Sequence, residues 1–422
     1  MPKERKTLAV SKDLADKLIT QTKEKGITLY NYLNNSMKQV IRAENELNES
    51  INVVMETIES YSLAKKLGFF LTSAELYSNS LTNITTEREK YEKKFYKFGL
   101  WIIRYLEIKY QSIDIRLKKL QLLIKHIFPN ELELKFEFGK DGFHSIKIIK
   151  KSMDFSNDII SYYAHMLIAM FEYLGFEKEK HLVEKSYTHL EFIPVTDEIK
   201  LIFQRIHTKV DKFFVSNKED KQKFRKTLAV EKEVANELLE IAQRKNMTLF
   251  NYVNEMVLKN CLKIYEDFDK NLEEIVNEYM YLQVIKDLDL ILVPSSIYYE
   301  SVQINLKNDE NYGEQWYDDG KRHGKIIISR FSGFPTEYFK NLINEIFFTD
   351  VSGFKIQIVQ EEDSLTFSII GTMINNELMT CISYYYEGLF SEFGYILEED
   401  SKIISLGVCS LKFQRRKKGK KR

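Results

Sequence analysis

Hydrophobic and polar positions alternate along Arg5–Val10 ("RKTLAV"), with Leu8 and Val10 on one side and Thr7 and Ala9 on the other. That period of two predicts a short strand with a single buried face. The period then lengthens. Through "KDLADKLITQTKEKG", Leu14, Leu18 and Ile19 recur at helical spacing beside Ala15, with Ser11 placed to cap the helix and Gly26 to end it. Thr28 opens a second helix, whose apolar face includes Leu29, Leu33, Met37, Val40 and Ile41.

The same succession returns 220 residues later, from Arg225 against Arg5. "RKTLAV" recurs unchanged at Arg225–Val230, and 15 of the 30 positions from Arg5 to Asn34 are identical to Arg225–Asn254. Differences are conservative: Leu14/Val234, Ile19/Leu239, Ile27/Met247 and Tyr30/Phe250. Asn246 replaces Gly26 at the turn, the other residue that tolerates a left-handed backbone, and Thr248 replaces Thr28 as the cap. A gap-free match of this length reads as an internal duplication. About 150 residues follow each copy and align more faintly: "LGFFLTSAELYSNSL" with "LDLILVPSSIYYESV", "FYKFG" with "WYDDG", and "YYAHMLIAMFEYLGF" with "CISYYYEGLFSEFGY". Helices, a strand run, a helix and a final strand predict an α+β domain with a small antiparallel sheet.

Charge sharpens the picture. The 422 residues hold 62 Lys plus Arg and 62 Asp plus Glu. Residues 1–43 carry +5, residues 221–263 carry +4 and the terminal "RRKKGKKR" carries +7, leaving −16 for the rest. Basic segments on an acidic body are a directed feature. Three cysteines, Cys261, Cys381 and Cys409, cannot build a disulfide framework, so a reducing, cytoplasmic setting is expected. No membrane span or secretion signal is read in the chain. Catalytic signatures are also missing: no P-loop, no G-x-G-x-x-G after a strand, no G-x-S-x-G, and no metal-ligand spacing among the seven histidines. The expectation is a protein that is not an enzyme and carries no cofactor.

Strand, helix, turn, Thr cap and helix within about forty residues resemble the ribbon-helix-helix DNA-binding family. The resemblance rests on "RKTLAVSKDLADKLITQTKEKGITLYNYL" and "RKTLAVEKEVANELLEIAQRKNMTLFNYV". It implies that two strands pair antiparallel into a ribbon that enters the major groove of double-stranded DNA. One strand alone leaves its backbone groups and apolar face unsatisfied. The two copies are therefore expected to pair within one chain as an intramolecular pseudo-dimer, the alternative being that each pairs with another molecule; a further homo-oligomer is compatible with either. On the resemblance, Arg5, Thr7, Ala9, Arg225, Thr227 and Ala229 face DNA bases, Lys6 and Lys226 reach phosphate at the ribbon's ends, and the helix N-termini at Thr28 and Thr248 hold phosphate. Ala9 and Ala229 depart from the family's usual polar residue there. A strand pair serving association alone is the competing reading.

The second α+β region, Leu288–Phe413, resembles the 4-vinyl reductase domain family, whose fold is shared with vesicle-tethering subunits. "YDDGKRHGK", the strands after "VSGF", "CISYYYEGLFSEFG" and "EEDSKIISLGVCSLKF" carry the likeness. It implies a module that senses a small apolar ligand, and in many members a zinc held by three Cys and a carboxylate. Cys381, Glu399 and Cys409 fall near three of those places while Lys402 occupies the fourth, so buried thiols without metal are expected. Tyr384, Tyr385, Tyr386, Phe390 and Phe393 either line a pocket or fill the core. The expected order is residues 4–47 ribbon-helix-helix, 48–196 α+β domain, 197–223 linker, 224–264 ribbon-helix-helix, 265–413 α+β domain and 414–422 basic tail. The expected function is a transcriptional regulator, the alternative an architectural protein that coats or bridges DNA. A nucleoid-associated place in an archaeal cytoplasm is the expected location.

Overall fold

The computed structural model describes residues 4–82, 87–128, 132–139, 142–151, 157–184, 186–196, 225–267, 270–330, 342, 354–371, 376–405 and 407–416. The linker expected over residues 197–223 lies outside them, as do residues 417–422 of the basic tail. The chain is an α+β protein and divides into two compact units, each drawn from both halves of the sequence. The smaller combines Met1–Glu59 with Ser216–Leu282, and the larger combines Ser60–Val215 with Gln283–Arg422.

In the smaller unit, strand β1 (Arg5–Ser11) leads into helices α1 (Lys12–Glu24) and α2 (Leu29–Glu46). Gly26, at φ +66°, makes the left-handed turn between them. The chain leaves α1 through bonds from the Gly26 N–H to the Lys23 carbonyl and from the Ile27 N–H to the Thr22 carbonyl. In the second half, β7 (Arg225–Glu231) leads into α8 (Lys232–Arg244), and Asn246 makes the same turn at φ +53°. The following helix differs from its counterpart. It starts as α9 (Leu249–Tyr252), widens into one π-helical stretch (Val253–Leu258) and resumes as α10 (Lys259–Asp267).

The widening has a visible cause. Arg5 and Arg225 are 220 residues apart, but the next helices, α3 (Ile51–Lys66) and α11 (Leu272–Asp287), begin 221 apart. One residue has been added in the second copy, and a π-turn absorbs it without unwinding the helix. Beyond the bulge the buried positions match at the longer offset: Met37 with Leu258, Val40 with Cys261, Ile41 with Leu262. The Asn260 amide donates to the Met256 carbonyl at 2.7 Å and to Asn52 Oδ1 at 2.7 Å, satisfying backbone that the bulge disturbs.

The larger unit holds two α+β halves, the first with helices α4 (Ala74–Thr82), α5 (Arg88–Lys109) and α6 (Ile113–Ile127), the second with α12 (Ser295–Asn308) and α13 (Tyr312–Arg330). In the first, β3 (Leu132–Gly139), β4 (Gly142–Lys150), β5 (Phe176–Val183) and β6 (Tyr187–Pro194) form an antiparallel sheet in the order β3-β4-β6-β5, backed by α7 (Asn157–Tyr173). In the second, β9 (Phe354–Gln360), β10 (Ser364–Gly371), β11 (Tyr395–Leu397) and β13 (Val408–Arg415) take the order β11-β13-β10-β9, with β12 (Ile403–Ser405) also on β13 and α14 (Asn376–Glu392) against the sheet. A second strand pair joins the halves, one the sequence reading did not contain. Strand β2 (Phe69–Ser73) runs antiparallel to β8 (Leu290–Pro294), with Leu71 opposite Leu292 and all ten residues buried. Burial on both faces erases the alternation by which a strand is recognised.

The aromatic run in α14 is mostly core. Tyr385, Tyr386 and Phe390 are buried, with Phe367 4.0 Å from Tyr386 and Phe413 5.0 Å from Phe390 between ring centres; Tyr384 and Phe393 are half-buried. All three cysteines are buried and unbridged. Burial pushes the Cys261 and Cys409 thiols up to about 11, and the Cys381 thiol higher still. Lys402 rests its ammonium 4.2 Å above the Tyr384 ring, and the Glu399 side chain lies outside the described ones.

Candidate nucleic-acid interface

Strands β1 and β7 pair with each other, antiparallel and within one chain. Leu8 faces Leu228 at the centre, Thr7 faces Ala229 and Ala9 faces Thr227, while Arg5 and Arg225 stand at opposite ends against Glu231 and Ser11. Exchanging the two copies reproduces this register, so the ribbon has a pseudo-two-fold axis through the Leu8–Leu228 pair. Leu8, Val10, Leu228 and Val230 are buried beneath it, each contributing about 1.5–3 kcal/mol by leaving water. The opposite face is Arg5, Thr7, Ala9, Arg225, Thr227 and Ala229, all exposed. These are the six positions the alternation assigned outward.

Two asparagines lock the ribbon to the helices. Asn34 on α2 accepts the Glu231 backbone N–H at 2.8 Å, and its own amide donates to the Tyr30 carbonyl. Asn254, its equivalent, accepts the Ser11 N–H at 2.8 Å and donates to the Phe250 carbonyl. Both asparagines are buried. Ser11, expected as a helix cap, makes no side-chain capping bond; its N–H is what the structure uses.

The arginines are held in place as well. The Arg5 guanidinium lies 4.8 Å from the centre of the Tyr30 ring, and Arg225 lies 4.8 Å from Phe250. Stacking on an aromatic face orders a side chain that would otherwise sample many rotamers, while leaving its donors outward. Tyr30 and Phe250 belong to the first turns of the second helices, so each arginine stands beside a helix N-terminus. There the Thr28 and Thr248 hydroxyls accept the Asn31 and Asn251 N–H groups at 3.3 and 3.2 Å. The N–H groups of Leu29 and Tyr30, and of Leu249 and Phe250, have no acceptor inside their helix and point along the positive end of its dipole.

Each lysine reaches across to the other copy. Lys6 donates to Asn236 Oδ1 at 3.1 Å and Lys226 to Asp16 Oδ1 at 2.9 Å, each on the first helix of the opposite copy. Sequence reasoning assigned neither these contacts nor the asparagine clamps, because both join residues about 200 or more apart in the chain.

Among the described residues no group of three or more His, Cys, Asp or Glu is placed to hold a metal ion, and no helix is long and apolar enough to cross a membrane. No protein-family model, curated protein or solved structure matches the chain.

Proposed function

We propose that the chain binds double-stranded DNA as a transcriptional regulator of ribbon-helix-helix type, with both strands of the ribbon supplied by one internally duplicated chain. The observation that carries this reading is the exposed face of the β1–β7 pair, with an ordered arginine at each end and threonines between. A two-stranded ribbon fits the major groove, where Arg donates to guanine O6 and N7 and Thr meets either a polar base edge or the thymine methyl. Phosphates on either side are met by the helix N-termini at Thr28 and Thr248. The α+β halves of the larger unit, which resemble 4-vinyl reductase domains, serve as ligand-sensing or assembly modules, with a small apolar molecule as the ligand class.

Ala9 and Ala229, facing Thr227 and Thr7 at the middle of the ribbon, offer no hydrogen bond to a base edge. This supports the second reading, an architectural protein that coats or bridges DNA with little sequence preference. Footprinting separates them: protection confined to particular sites for a regulator, uniform coating for an architectural protein. The shared claim is tested by fluorescence anisotropy with a duplex. With four to eight phosphate contacts, log K falls against log salt with a slope of about −4 to −7. Absence of binding at about 50 mM salt removes both readings.

A further inference from the structure

The hexapeptide is the same in both copies, yet its lysines are not in the same state. Lys226 is ion-paired with Asp16 at 2.9 Å, whereas Lys6 meets the neutral amide of Asn236. Asp16 and Asn236 are equivalent positions. A second lysine stands at each end of the ribbon, at the start of the first helix of either copy: Lys232, one helical turn before the Asn236 that Lys6 meets, and Lys12, one turn before the Asp16 that Lys226 meets. Lys232 is ion-paired with Glu4 at 2.6 Å, and its backbone N–H donates to the Glu4 carbonyl. Lys12 is exposed and has no ion pair among the described residues; the residue equivalent to Glu4 is Phe224. Each end thus has one lysine neutralised by a carboxylate and one that is not, and the two ends make opposite choices.

We infer that the phosphate grip beside the ribbon passes through different lysines at its two ends, Lys6 at one and Lys12 at the other, with Asp16 and Glu4 withholding Lys226 and Lys232. The inference rests on the DNA-binding reading above. Its physical basis is simple. A phosphate approaching Lys226 also meets the Asp16 carboxylate 2.9 Å from the ammonium, so the pair offers it almost no net charge. Lys6 meets the Asn236 amide and has no ion pair among the described residues. Lys12 stands at a helix N-terminus, where the dipole adds to its attraction for an anion. An identical strand sequence therefore gives a ribbon that reads bases symmetrically and holds the backbone unsymmetrically.

Salt titrations of anisotropy with the full-length chain and one duplex test this. Each phosphate contact contributes about 0.9 to the slope of log K against log salt. Lys6→Ala and Lys12→Ala should each reduce the slope by about that amount, while removing either ion pair whole, by Lys226→Ala with Asp16→Asn or by Lys232→Ala with Glu4→Gln, leaves it unchanged. Asp16→Asn should steepen it by about the same increment, and adding Lys226→Ala to Asp16→Asn should cancel the gain. Asp13→Asn removes an equal charge from the first turn of α1 and serves as the control. Equal losses for Lys6→Ala and for Lys226→Ala combined with Asp16→Asn, or matching effects of Asp16→Asn and Asp13→Asn, overturn the inference while leaving DNA binding standing. Absence of binding by the unsubstituted chain removes the reading beneath it instead.

Discussion

Asn34 and Asn254 lie on the border between the polar and apolar faces of their helices, where asparagine is ordinarily a weak helix former facing water. Each is instead the acceptor for a buried N–H at the far end of the other copy's strand. Removing an acceptor costs the desolvation of the orphaned donor, about 1–3 kcal/mol. Asn34→Ala and Asn254→Ala should each lower the urea midpoint accordingly, and an unchanged midpoint contradicts the clamp. Titration gives a second check on single residues. Burial lowers His126 and His181 to about 4 and depresses His323, which is fully buried with Nδ1 2.8 Å from the Tyr385 hydroxyl. All three are in the larger unit. Because the unfolded chain takes up these protons near pH 6.5 and the folded chain does not, stability should fall as pH drops from about 6.5 towards 4. A denaturation midpoint that is flat or rises between pH 7 and pH 5 contradicts the three neutral imidazoles.

Among the elements, the strand, its two helices and their caps were legible because each depends on neighbours in sequence. Leu8 and Val10 alternate, Gly26 and Asn246 turn, and Thr28 and Thr248 cap as the pattern predicts. The β2–β8 pair was not legible, because five buried residues in a row fit a strand or a helix segment equally well. The π-turn had a signal that went unused: Leu67 aligns with Leu288 at 221 residues, not 220. Deleting Met256 should convert Val253–Leu258 to an ordinary α-helix, bring the copies into one offset and cost the smaller unit about 1 kcal/mol, the central size of a single-residue change. Deleting Asn35 from the uninterrupted α2 should rotate Met37, Val40 and Ile41 out of the core and unfold the smaller unit. Circular dichroism and urea titration of both variants check this, and equal losses contradict the assignment of the added residue to the bulge.

For the molecule as a whole, the central claim is that one chain carries a complete ribbon and that this ribbon takes up one DNA site. The opening repeat led to internal pairing as the expectation and pairing between chains as its alternative; the register from Arg5–Glu231 to Ser11–Arg225 places both strands in one molecule. Covalent linkage raises the effective concentration of the partner strand to about the millimolar range, well above ordinary protein concentrations. The most direct measurement is the stoichiometry of the DNA complex. Sedimentation of the full-length chain with a short duplex, at concentrations where the free protein is a monomer, should give one chain per duplex, and a chain beginning at Asn48 should not bind. Two chains per duplex, or binding by the truncated chain, contradicts a ribbon built and used within a single molecule.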